Sequence, residues 1–184
     1  MKTYLYFALM GLLTSLQTPQ AYSQNMIREQ PHTTFKAGSW QVGLKEGYGQ
    51  GNLAKNRNSL QVNTGYYLIS RLLLGINATW SKEWLGDFNF HDLSAGPYVR
   101  YHFTATRISP FIDASYQIGR RSAGAGSSIT YPSVSLQSTQ LAPGLNFGLT
   151  NALRIDVSYG LQWTYFPSNS QSFGQAQLGL AYLL

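Results

Sequence analysis

From Gly38 to Leu184 the chain alternates large apolar residues with small or polar ones, stretch after stretch. Leu153, Ile155, Val157, Tyr159, Leu161, Trp163 and Tyr165 carry the apolar phase of one stretch. Arg154, Asp156, Ser158, Gly160, Gln162 and Thr164 fill the positions between them. A period of two sends successive side chains to opposite faces of a β-strand, so each stretch predicts a strand with two chemically different faces. Eight stretches repeat the pattern, at residues 38–48, 59–69, 72–83, 92–103, 110–120, 138–150, 153–165 and 172–184. Roughly a dozen residues each is the length a tilted strand needs to cross a bilayer. The expectation is an all-β fold, an eight-stranded antiparallel up-and-down transmembrane β-barrel.

The connections alternate in length. Short ones fall at 70–71, 104–109 and 151–152, and longer ones at 49–58, 84–91, 121–137 and 166–171. Short periplasmic turns and longer extracellular loops are the asymmetry of barrels in bacterial outer membranes, and an even strand count puts both chain ends on the periplasmic side. With that orientation the aromatics fall into two belts. Trp80, Trp84, Trp163 and Tyr165, with Phe90 and Phe166, lie near the outer strand ends. Trp40, Tyr66, Tyr101, Phe103, Phe147 and Tyr182 lie near the inner ends. Membrane–water interfaces favour such belts.

Periodicity leaves open which face points outward. A soluble lipocalin-like barrel would turn the apolar face inward and show water a charged exterior. Here only 11% of residues are charged, against about 25% in soluble domains. The polar phase is Gly, Ser, Thr, Asn and Gln, which suits a packed interior. The apolar phase is therefore expected to face lipid, around a lumen that eight strands leave just wide enough for side chains to fill.

Lys2, the apolar run Leu5 to Leu13 and the small residues of Ala21-Tyr22-Ser23 have the layout of a secretory signal peptide over residues 1–23, cut near Ser23. Residues 24–37 lack periodicity and are expected to be a flexible periplasmic segment, with the barrel domain at 38–184. Removing Lys2 from 13 basic residues leaves 12 against 7 acidic. The basic residues are scattered in an exported chain, so nucleic acid is not an expected partner. With no cysteine, packing and backbone hydrogen bonds must hold the fold.

Few side chains with chemistry fall in the lumen phase. Counting back from the 104–109 turn places Arg100 opposite Asp113, a natural cross-strand ion pair. Arg154 and Asp156 share one face, and Lys45 points inward. Buried charges persist only when partnered, so these five are expected to form an ion-pair network that plugs the barrel. Of the three histidines, His32 lies in the N-terminal segment and His102 faces the lumen. His91 opens the fourth strand in His91-Asp92-Leu93-Ser94, but His91 and Ser94 diverge to opposite faces, whereas a nucleophile and its base need hydrogen-bond reach. No catalytic residues, cofactor or metal are therefore expected. The Gly47–Gly51 and Ala123–Ser128 stretches lack the context of phosphate-binding loops. Lys55, Arg57, Arg120 and Arg121 fall in the expected outer loops, as candidate contacts for lipopolysaccharide phosphates.

The run Leu93-Ser94-Ala95-Gly96-Pro97-Tyr98-Val99-Arg100-Tyr101-His102-Phe103, followed by Ser109-Pro110-Phe111-Ile112-Asp113-Ala114-Ser115-Tyr116, resembles a hairpin of the outer-membrane β-barrel domain family. Thr64 to Gly75 resembles another. That family comprises porin-like proteins of the eight-stranded outer-membrane protein A and X type. The resemblance spans Gly38 to Leu184 and implies a bacterial outer-membrane location, outer-membrane lipids and lipopolysaccharide as surroundings, and delivery to the barrel-assembly machinery through the C-terminal strand. The chain departs from the family in ending on Leu184 rather than an aromatic residue. It also lacks the His-x-Ser-Asn signature of lipid A deacylases. The expected function is non-enzymatic, as a monomer serving envelope structure or surface contact. A lipid A-modifying enzyme and a narrow pore are the alternatives.

Overall fold

The computed structural model describes residues 35–51, 56–85, 88–125, 129–130 and 132–184. The predicted leader and its cleavage point, His32 and Lys55 lie outside the described residues. Eight long strands form the wall: β1 (Trp40–Gly51), β2 (Asn56–Ile69), β3 (Leu72–Leu85), β4 (Phe88–His102), β5 (Ile108–Ala125), β7 (Val134–Gly148), β8 (Leu153–Tyr165) and β9 (Ser170–Leu183). A two-residue strand, β6 (Ile129–Thr130), pairs with Gly124 and Ala125 at the outer tip of β5.

Each wall strand runs antiparallel to its neighbours, and β1 pairs with β9 from Gln41↔Leu183 to Gly51↔Phe173, which closes the sheet. Following paired residues round the wall from Trp40 leads through Tyr66, Leu74, Val99, Ala114, Leu141, Leu161 and Gly174 back to β1 at Gln50. The closure is thus staggered by ten residues, and stagger and strand number together tilt the strands about 40° from the barrel axis. A closed wall leaves no edge strand, so backbone groups in an apolar surround are satisfied.

The two-residue alternation of burial runs through every wall strand. In β1, Gln41, Gly43, Lys45, Gly47 and Gly49 are buried inside, while Trp40, Val42, Leu44, Glu46 and Tyr48 are exposed outside. Val62, Ile76, Leu93, Ile118, Val157, Leu178 and Leu180 are large apolar side chains on the outside. The interior is the polar phase, as expected. It also holds aromatics that fill its taper, among them Tyr67, Tyr98, Phe111 and Phe173.

Two features depart from the sequence reading. First, the outer hairpin arms continue as paired strand well beyond the expected ends. β3 runs to Leu85 and β4 begins at Phe88, so the expected 84–91 loop is almost wholly ladder, and β5 extends to Ala125. Second, Phe35, in the segment expected to be loose, is fully buried in the inner mouth of the barrel with Tyr67, Leu73 and Tyr98. Its carbonyl accepts from Arg71 N at 3.1 Å, and Gly38 N donates to Tyr67 O at 2.9 Å. Gly38 supplies the left-handed φ of 91° that turns the chain from this strap into β1.

Candidate functional site

The lumen holds two separate charge networks, one near each end. In the inner network, Arg100 grips Asp113 with two parallel bonds, Nε to Oδ1 at 2.6 Å and Nη2 to Oδ2 at 2.8 Å. Such a fork suits a planar guanidinium and carboxylate. Lys45 Nζ reaches the same Asp113 Oδ2 at 2.5 Å. Arg100 Nη1 also approaches Asp156 Oδ2 to 2.7 Å, off the hydrogen-bonding direction. Two cations thus meet two anions, and Arg100 lies over the Phe111 ring, its Cζ 4.1 Å from the centroid.

Arg154 does not join that quartet as the sequence reading expected. Residues two apart on one strand point the same way in parallel, about 7 Å apart, and each side chain takes the nearer partner. Arg154 donates to the Asn146 side chain and to the carbonyls of Thr106 and Arg107 in the inner turn, and its guanidinium lies over the Phe35 ring at 4.6 Å. Asn146 in turn donates to Asp156. His102 stacks on Phe35, centroids 3.6 Å apart, and lies 3.3 Å from the Tyr67 hydroxyl.

Arg57 and Arg121 form the outer network, and this corrects their expected place on exposed loops. Both are strand residues in the lumen phase, only 2% and 8% exposed, because β2 and β5 extend past their expected ends without a break in alternation. Arg57 Nη1 donates to Glu83 Oε1 at 2.9 Å and its Nη2 to Ser81 Oγ at 2.9 Å. Arg121 donates through Nε and Nη2 to the two oxygens of Asp92, both at 2.7 Å, and through Nη2 to Glu83 Oε1 at 2.7 Å. Phe173 lies under Arg57 at 4.3 Å, while Phe166 and Phe90 flank Arg121 at 4.4 and 5.4 Å. The half-buried Phe90 and Phe166 rings therefore face this cation at the outer rim instead of joining the outer belt. Four buried charges again sum to zero.

Between the networks lies a neutral layer of amides and hydroxyls. Ser94 donates to Gln117, Gln117 to Thr79, Ser158 to Gln177 and Ser59 to Gln175. Gly47 makes the last pair possible, since a Cβ there would stand 2.5 Å from Ser59 Oγ. The space left beside Lys45, Asn77, Tyr98 and Asp113 is about 10 Å³, room for the centre of one water molecule. At this level the described side chains pack the lumen.

On the exterior, Trp40, Tyr66, Tyr101, Phe103 and Tyr182 are exposed toward the inner end, with Phe147 half-buried. Trp80, Trp163 and Tyr165 are exposed toward the outer end, with Trp84 half-buried under Lys82. Arg120 alone of the described loop candidates is exposed. It borders a groove lined by Ile118, Gln137, Tyr165, Phe166 and Pro167, above the point where β7 loses its β8 partner. His91 lies against Trp80, its main-chain carbonyl accepts from Ser122 Oγ, and Asp92 points away from it into the outer network. Among the described residues no three His, Cys, Asp or Glu side chains are placed to hold a metal.

No protein-family model and no curated protein matches the chain. Solved structures do. Neisserial surface protein A is 20% identical, with 78% of this chain covering 95% of that one at a TM-score of 0.62. The N-terminal β-barrel domain of OprF from Pseudomonas aeruginosa is 14% identical, with 80% and 98% covered and a TM-score of 0.57. The outer membrane enzyme PagL is 16% identical, with 74% and 97% covered and a TM-score of 0.56. The fold is that of the eight-stranded outer-membrane barrels. One of these barrels is an enzyme, but at such identities the likeness defines the scaffold alone, and function rests on the side chains it carries.

The quartet around Asp113 involves residues that the alternation singles out. Its outer counterpart went unread because Arg57 and Arg121 fall in the expected loops, which left Glu83 and Asp92, at the very ends of expected strands, without partners. Continuing the odd phase of the third strand from Ser81 to Glu83, and the even phase of the fourth back from Ser94 to Asp92, would have placed both carboxylates inside.

Proposed function

We propose that this chain is an integral protein of the bacterial outer membrane with a sealed, non-catalytic barrel. It serves envelope structure or surface contact through its outer hairpin ends. The observation that carries this reading is the lumen, crowded with buried side chains and crossed near each end by a network of paired charges. A pore needs a continuous polar path, and side chains occupy it. A hydrolase or acyltransferase needs an accessible nucleophile within reach of a base. His91 and Ser94 stand on opposite faces, and His102 and Ser109, 3.2 Å apart, are both fully buried inside the inner mouth.

The exterior supports the membrane placement, because an apolar band between two aromatic belts has no use in water. Arg120 at the outer belt, beside a groove with apolar walls, supports contact with phosphate groups of outer-leaflet lipopolysaccharide. Purified protein in planar bilayers is expected to show no unitary conductance, and lipid A from cells with and without the protein is expected to carry the same acyl chains. Steady single-channel steps would overturn the sealed-barrel reading. A lost or transferred acyl chain would overturn the non-enzymatic one and favour the lipid A-modifying alternative.

A further inference from the structure

Glu46 is out of place. It lies on the outward phase of β1, exposed, between Leu44 and Tyr48. Its neighbours across the two seams are Leu60 of β2 and Leu178 of β9. At about 2.5 Å of depth per residue for a strand tilted near 40°, it stands ~15 Å above Trp40 of the inner belt, in a band ~25 Å tall. The other outward acidic or basic side chains lie at or beyond the belts. Lys82 sits between Trp80 and Trp84, His91 pairs with Lys82, and Arg120 borders the Tyr165 groove. Among the described residues, Glu46 is therefore the one such side chain that faces the middle of the apolar band, and it makes no hydrogen bond or ion pair with any of them.

A carboxyl group in hydrocarbon is costly and persists where something answers it. Acyl tails offer neither donor nor acceptor. A second copy does, in one arrangement. A two-fold axis parallel to the membrane normal brings like residues together at equal depth, so it sets Glu46 against Glu46. A carboxyl group holding its proton is both donor and acceptor, and two of them satisfy each other. Any other face of a second copy offers, among the described residues, at most a single tyrosine or threonine hydroxyl at that depth, one bond where two carboxyl groups exchange two. Resting on the membrane placement proposed above, we propose that the chain pairs with a second copy of itself within the bilayer, through the β9–β1–β2 face, with the two Glu46 side chains hydrogen-bonded at the axis. This departs from the monomer expected from sequence.

The full chain contains no cysteine, so a single introduced thiol reports cleanly. Leu44→Cys lies on the proposed face, and Ala114→Cys faces outward on β5, four strands away. In isolated outer membranes, a short bis-maleimide is expected to cross-link Leu44→Cys into dimers at least tenfold more than Ala114→Cys. Adding Glu46→Leu should abolish that excess, whereas Glu46→Gln, whose amides can also pair, should keep it within twofold. Equal cross-linking at both positions, or a Leu44→Cys dimer indifferent to Glu46→Leu, would refute the pairing. Heat-dependent gel mobility of every variant shows that the barrel has formed. Its absence from the parent protein would instead refute the membrane-barrel reading.

Discussion

Arg100 and Asp113 face each other across the β4–β5 hairpin, joined by two side-chain bonds at 2.6 and 2.8 Å inside the lumen. Everything else in the inner network is arranged around that pair. Lys45 reaches Asp113 from β1, and Asp156 approaches the free arm of Arg100 from β8. Strands β1 and β8, distant in sequence, are thereby tied through one hairpin.

Removing one partner of a buried ion pair leaves the other uncompensated. Arg100→Ala leaves Asp113 only Lys45 and Asp156 only the Asn146 amide, and is expected to lower barrel stability by about 3 kcal/mol. Lys45→Met leaves Asp113 its two bonds to Arg100 and should cost clearly less. Urea unfolding in micelles, followed by tryptophan fluorescence, measures the difference, and equal losses would contradict the dominance of Arg100.

The outer network holds hairpin arms that rise past the aromatic belt. Arg121 bonds Asp92 twice and Glu83 once. Arg121→Gln removes charge-assisted bonds worth about 2 kcal/mol each, and local opening should follow. Amide exchange in the outer thirds of β3, β4 and β5 is expected to rise about thirtyfold or more, with the strand centres unchanged. A uniform rise along whole strands would mean that this network supports the entire barrel rather than its rim.

Phe35 plugs the inner mouth, stacked on His102 and under the Arg154 guanidinium. Phe35→Ala empties a fully enclosed aromatic site and is expected to cost about 3 kcal/mol in urea unfolding. Deleting the chain up to Lys36 should cost at least as much. A neutral outcome for both would show that the strap does not contribute to the folded barrel.

Much of this fold was legible before any coordinates. Alternation located all eight wall strands, set their inward and outward phases and paired Arg100 with Asp113, because the short turn at 104–109 fixes that register by simple counting. The outer strand ends were not legible. Past the belts the exterior no longer has to be apolar, so Asn56, Asn58, Lys82 and Asn89 break the hydrophobic signal while the ladder continues. That loss placed Arg57 and Arg121 on loops, and so hid the partners of Glu83 and Asp92 at the ends of the expected strands. Glu46 was passed over for the opposite reason, as a single polar residue inside an otherwise regular apolar phase.

The sequence by itself determined the two faces of the wall, because side-chain alternation is a local property of an extended backbone. Beyond the Arg100–Asp113 pair of one hairpin, tertiary structure alone decided which charges meet. The ten-residue stagger brings β1, β4, β5 and β8 to one level at Asp113, and chain closure turns Phe35 back into the mouth. Which partner a buried charge finds depends on strands brought together from across the chain, and no local period encodes that.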